Sequence, residues 1–262
     1  MKILKSLLVL ILTISILSSC SKEGITSNTT NTQNNTPPTG TVMFHLHTYI
    51  GDQEVDLYNI DYTTLEGRGM SLSMTQMYIS EIELVKLDGT TYQIPLKRIL
   101  KVFEAESYLA GNVPIGNYKT IRFKIGLDPT TNALDPKSSV DSVILNKPEM
   151  WFSQTAQPDG FVFLNIQGKI DTTFDMTGTK APFSYKIGTN ANYIPVVMPD
   201  KSYTISKDQI FYQHIYIDYS KLFSGVQLNQ LSNLSVNTPS ENVNPIVTTL
   251  KNNIPTMFIY EN

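Results

Sequence analysis

The chain has 262 residues, 41% hydrophobic and 16% charged, with 20 Lys and Arg against 23 Asp and Glu for a formal net charge of −3. That is enough apolar material for a real core and too little charge for a disordered chain. The basic residues are scattered, which leaves no electrostatic footprint for a nucleic-acid backbone and excludes nucleic acid as the expected partner.

The chain opens with Lys2 and Lys5 followed by an apolar run over residues 7–17, the layout of an export signal. The run is shorter than the ~20 apolar residues needed to span a bilayer. It ends Leu17-Ser18-Ser19-Cys20, which resembles a bacterial lipobox, where the cysteine is diacylated and becomes the new N-terminus. Cys20 is the sole cysteine, so its lipidation leaves no thiol for a disulfide, a thiolate zinc site or a nucleophile. The expectation is a signal peptide over residues 1–20, an outer-membrane lipid anchor on Cys20, and a polar Ser/Thr/Asn tether over residues 21–40 that cannot bury enough area to order itself. One folded domain is then expected over residues 41–262.

Residues 41–50 alternate, with Val42, Phe44, Leu46 and Ile50 on one face and Met43, His45, His47 and Tyr49 on the other, the period of a half-buried strand. Gly51-Asp52 ends it. Residues 70–87 and the segment beginning at Tyr92 read as two strands around an Asp88-Gly89 hairpin turn. Ile99, Val102, Phe103 and Tyr108 fall near helical spacing and suggest a short helix within residues 99–109. Residues 118–125 alternate up to Gly126, and proline and asparagine make residues 128–136 a loop. Residues 160–170 are apolar on both faces, as in a central strand of a sandwich. Strands follow over residues 183–187, 193–198, 202–205 and 209–219. In the last segment Asn244 caps, Pro245 takes the first helical position, Ile246, Leu250 and Ile254 share a face, and Pro255 stops the helix. Many short strands and few helices predict an all-β fold, a β-sandwich of antiparallel strands with one short C-terminal helix.

The sharpest chemical feature is His45-Leu46-His47. On a strand, residues i and i+2 share a face with Cα atoms roughly 6.5–7 Å apart, close enough for two imidazoles to reach one ion. Copper and zinc accept such donors, and two histidines leave the site unfinished; a solvent-facing pair that binds nothing is the alternative. His214 shares a face with Tyr212, Tyr216 and Asp218 and completes the site only if its strand neighbours the first. Asp128, Asn132 and Asp135 fit an Asp-Pro turn better than a calcium loop, because EF-hand spacing and its terminal Glu are missing. No Gly-x-Ser-x-Gly elbow, phosphate loop or dinucleotide fingerprint occurs, and no enzymatic activity is expected.

Several stretches, in order, are similar to the MbnP-like copper-binding family of exported bacterial proteins, in the lipoprotein version found among Bacteroidota. They are residues 44–47 (Phe-His-Leu-His), 76–84, 114–118 leading into 121–126, Met150-Trp151, 160–168 (Gly-Phe-Val-Phe-Leu-Asn-Ile-Gln-Gly), 183–188, 217–223 and 246–258. The resemblance implies copper held by histidine nitrogens. In some members it also implies a tryptophan oxidised to kynurenine as a further ligand, the oxidation being done by a partner di-haem peroxidase-like protein. Carried over, it points to His45 or His47 and to Trp151 as the candidate modified aromatic. The expected site is His45 and His47 with help from His214 or Met150. Two departures stand against it. Lys186-Ile187-Gly188 replaces the family's His-x-Gly, and a protonated ammonium is no ligand; the family's Trp-x-Trp is reduced to Trp151, with residues 154–159 as an extra loop behind it. The expected role is copper capture or handling by an envelope lipoprotein. The rival is a metal-free protein- or glycan-binding module whose tyrosine-rich strands suit contact surfaces.

Overall fold

The computed structural model describes residues 37–135, 142–153, 160–173 and 180–261. The expected signal peptide over residues 1–20, with Cys20, most of the expected tether and the extra loop at 154–159 lie outside the described residues. In chain order the strands are β1 (Thr39–Ile50), β2 (Gln53–Glu54), β3 (Tyr62–Thr63), β4 (Gly69–Lys86), β5 (Thr91–Gln93), β6 (Arg98–Val102), β7 (Ser107–Pro114), β8 (Gly116–Ile125), β9 (Val162–Asp171), β10 (Lys180–Gly188), β11 (Ile194–Val197), β12 (Tyr203–Ile205), β13 (Ile210–Asp218), β14 (Ser235–Val236) and β15 (Phe258–Tyr260). The α-helices are α1 (Pro129–Asn132), α2 (Ser142–Leu145) and α3 (Pro245–Asn253).

The fold is all-β, as the sequence predicts. One sheet runs β15-β13-β1-β2 with β7 also paired to β1, and a larger one runs β11-β8-β4-β9-β10-β14 with β12 on β8 and β3, β5 and β6 on β4. The expectation of antiparallel strands throughout needs correction, because β1 runs parallel to β13 and β10 parallel to β14. Parallel pairing needs a long crossover, and almost the whole larger sheet is built between β1 and β13.

Burial alternates without a break along β1, which begins two residues earlier than the expected domain start. Its inward side chains Val42, Phe44 and Leu46 join one core with Met77 and Ile79 of β4 and Leu164 and Ile166 of β9. Burying a side chain of this size contributes about 1.5–3 kcal/mol, so each strand's inner face fixes its register. The turned-out Tyr78 of β4 and Phe163 of β9 belong to a second cluster with Met150 and Trp151. The sandwich core therefore lies between the outer face of β1 and this second cluster. Gly126 ends β8 at φ +115°, where a Cβ would lie 2.4 Å from the Phe163 ring; only glycine accepts both the backbone and the ring.

Two local expectations fail. The helix expected within 99–109 is the end of β6, a turn and the start of β7, because β6 pairs residue for residue with β4, from Arg98 opposite Ser80 to Val102 opposite Gln76. The expected loop at 128 begins with a turn of helix, α1, capped by the Asp128 carboxylate on the backbone N–H groups of Thr130 and Thr131. Against the opposing effect of partial burial, the Thr131 hydroxyl, which donates to the other carboxylate oxygen, and then these backbone bonds hold the Asp128 carboxyl below its usual range, which supports the turn rather than the calcium reading.

Candidate metal site

β13 lies beside β1 in register, with His45 opposite His214 and His47 opposite Tyr216. All three histidines of the chain thus meet on the outer face of the smaller sheet, with one donor atom from each inside a 4.8 Å cluster. The His45 and His214 rings are 4.7 Å apart at their centroids, and those of His47 and His214 stack at 5.6 Å and 11°. The spacing of ligands around an ion tests the fit. At the ~2.0 Å of a metal–imidazole bond, two tetrahedral ligands stand about 3.3 Å apart; Nε2 of His47 and Nδ1 of His214 are 3.4 Å apart.

Carboxylates surround the imidazoles. Nδ1 of His47 donates to Oε1 of Glu54 at 2.8 Å, with Oε2 of Glu106 at 3.7 Å, an assignment that leaves the Nε2 lone pair facing the cluster. Nδ1 of His214 lies 3.0 Å from Oε2 of Glu261, and Nε2 of His45 lies 3.1 Å from the Ser107 hydroxyl. Burial, followed by the neighbouring His214 and His47, pushes the His45 pKa below its ordinary value; a neutral ring carries the lone pair that a metal needs. Tyr212 and Tyr216 flank the cluster edge-on to His45 and His47. A hydrogen bond to Glu261 is the first cause that raises the Tyr216 phenol's pKa.

Met150 is not among these ligands. It is fully buried in the second cluster beside Trp151, beyond the sandwich core from the histidines. Trp151 is there too, bridged to Phe161, with its indole N–H donating to the Leu145 carbonyl at 2.9 Å. Neither reaches the three imidazoles, because both pack with Tyr78, Phe161 and Phe163 on the opposite side of the sandwich. Lys186, at the position of the family's His-x-Gly histidine, also lies on that side, since its neighbours Tyr185 and Ile187 point into the main core and it pairs with Asn165, whose amide donates to the Glu149 carbonyl.

A family model described as MbnP matches residues 39–241, more than half of the chain. The chain belongs to the MbnP family. Among solved structures it is similar to MbnP from Methylosinus trichosporium, at 17% identity over 71% of this chain and 78% of that one, with a TM-score of 0.48. No curated protein matches.

Sequence reasoning missed Glu54, Glu106, Ser107 and Glu261. Glu54 alone left a trace, because the Gly51-Asp52 turn folds the chain back and sets it opposite Tyr49, next but one to His47. The others reach the site through pairings of distant strands.

Proposed function

We propose that this MbnP-family protein binds copper through His45, His47 and His214 and acts in copper capture or handling, without catalysing a reaction. The observation that carries this is the convergence of three imidazoles, with a carboxylate on the far nitrogen of His47. Three nitrogen donors suit copper or zinc, and family membership favours copper. The surrounding carboxylates favour a cation over a neutral ligand. In this reading the protein is an outer-membrane lipoprotein held by a diacylated Cys20. It needs no kynurenine ligand, so a di-haem peroxidase-like partner, if it acts on Trp151, acts away from this copper.

Metal analysis of the purified full chain tests the reading, alongside the His45→Ala, His47→Ala double variant. The expected result is one copper per chain, lost in the double variant. A wild-type chain that takes up no copper under either oxidising or reducing conditions sinks it and leaves an anchored, metal-free binding module.

A further inference from the structure

Lys101 is an anomaly of the core. Lysine is almost never fully buried unless paired, yet this one is 1% exposed and points inward from β6 beside Ile99. Its Nζ donates to the backbone carbonyls of Val102 at 2.8 Å and Ala105 at 2.9 Å. The Tyr108 hydroxyl donates to the same Ala105 carbonyl at 3.0 Å and accepts from the Val102 N–H at 3.1 Å. These four bonds fasten both ends of the turn joining β6, in the larger sheet, to β7, in the smaller one.

What that turn carries gives the lysine its meaning. Directly after Ala105 come Glu106, whose carboxylate stands 3.7 Å from Nδ1 of His47, and Ser107, which pairs with His45 across β1 and β7 and sets its hydroxyl 3.1 Å from Nε2 of that ring. The Glu106 carbonyl also accepts from the Leu46 N–H between the two histidines. Without Lys101 the Val102 and Ala105 carbonyls would each lose this donor, and the Tyr108 hydroxyl alone would hold the corner of the turn. An apolar residue would have packed this corner without the cost of burying an amine, so the charge is spent on the position of the turn.

We infer that Lys101 is a positioning residue of the metal site, holding the β6–β7 turn so that Ser107 and Glu106 orient His45 and His47. This rests on the copper reading above, so the experiment includes a readout that needs no metal. In the full-length protein, Lys101→Met, Ser107→Ala and the double variant are titrated with copper against a competing chelator. Residues that orient ligands typically account for 10–100-fold in metal affinity. Lys101→Met should weaken copper binding about tenfold, and adding Ser107→Ala should cost little more, because both act through one contact. In the metal-free protein, the imidazole nitrogen shifts of His45 should change in Lys101→Met as they do in Ser107→Ala. Should Lys101→Met not fold, Tyr108→Phe, which removes one donor from the same carbonyl, should move the same shifts less. Unchanged His45 shifts in the folded variant, or fully additive losses of affinity, overturn the inference. If the wild type binds no copper, the copper reading fails and the His45 shifts still decide the role of Lys101.

Discussion

The two outer faces of this sandwich carry different chemistry. On the smaller sheet, β1 and β13 set three part-exposed imidazoles side by side with carboxylates around them. On the larger sheet, Trp151, Met150, Tyr78 and Phe161 form an apolar cluster, and Lys186 lies on the same face where the family pattern has a histidine. Ring nitrogens converge on the first face, whereas the second is a packed apolar cluster. Donor type alone therefore does not locate a metal site; Met150 carries a thioether acceptor and stabilises the fold instead, beside Trp151. The largest effect that would test this contrast is Trp151→Ala. Truncating a buried aromatic costs about 3–5 kcal/mol, and Trp151 also loses its bond to Leu145. Denaturant unfolding should report that loss while copper binding by the folded fraction stays at the wild-type value; a loss of copper would tie the two faces together.

Lys101, in the interior between the faces, gives the next effect. Burial depresses its pKa from 10.5 to about 8, with Glu106 and Glu104 opposing the shift. The sign follows from proton counting. Below pH 8 both the folded and the unfolded chain hold the proton, and the cost of the buried charge is fully present. Between about 8 and 10.5 the folded chain releases the proton and the unfolded chain keeps it, so this group makes stability rise with pH, by roughly 3 kcal/mol in all. The neutral amine still has N–H groups for both carbonyls, so the turn stays fastened. The difference in unfolding free energy between wild type and Lys101→Met, followed from pH 7 to 10.5, should show this rise. A flat difference would mean that the lysine is not buried as a cation.

Glu54→Gln is a smaller test, confined to the histidine face. The amide still accepts from His47 but carries no charge, so copper affinity should fall about tenfold. Glu54 is exposed, and global stability should stay within about 0.5 kcal/mol. Competition titration and thermal unfolding of one sample separate the two. A large loss of stability would make Glu54 a structural residue rather than an orienting one.

How much of this was legible depended on the range of each cause. The β1 alternation, the shared face of His45 and His47 and the start of α3 at Pro245 are set by neighbours a few residues apart, and the sequence displays them; the Asn244 side chain, expected to cap α3, makes no capping hydrogen bond. The entry of His214 depends on a parallel pairing that sets it opposite His45, 169 positions earlier, and no local pattern encodes which strand becomes the neighbour. The same limit hid Ser107 and Glu261. The segment 99–109 misled for a different reason: Ile99, Val102 and Phe103 match a helical stripe, but pairing with β4 decides the conformation, and a lysine buried by two carbonyls breaks the rule that charge faces water. Met150 and Trp151 were assigned from family position, which carries no information about which way a strand's neighbours face in this chain.

The last test carries the smallest expected change. Lys186→His restores the imidazole of the family's His-x-Gly to the larger sheet. If the departure at this position were what withholds copper there, the variant should gain a second equivalent. The geometry argues otherwise. Trp151 spends its indole N–H on Leu145, Met150 is fully buried, and the amide of Asn165, opposite position 186, donates to the Glu149 carbonyl. One imidazole there meets no second nitrogen, since every native histidine is at the other face, and a lone imidazole makes a weak site. Copper per chain should therefore be the same in Lys186→His as in the wild type, and removing His45 and His47 in that background should still abolish binding. A second equivalent surviving that removal would mean that the larger sheet holds the older site and needed only its histidine back.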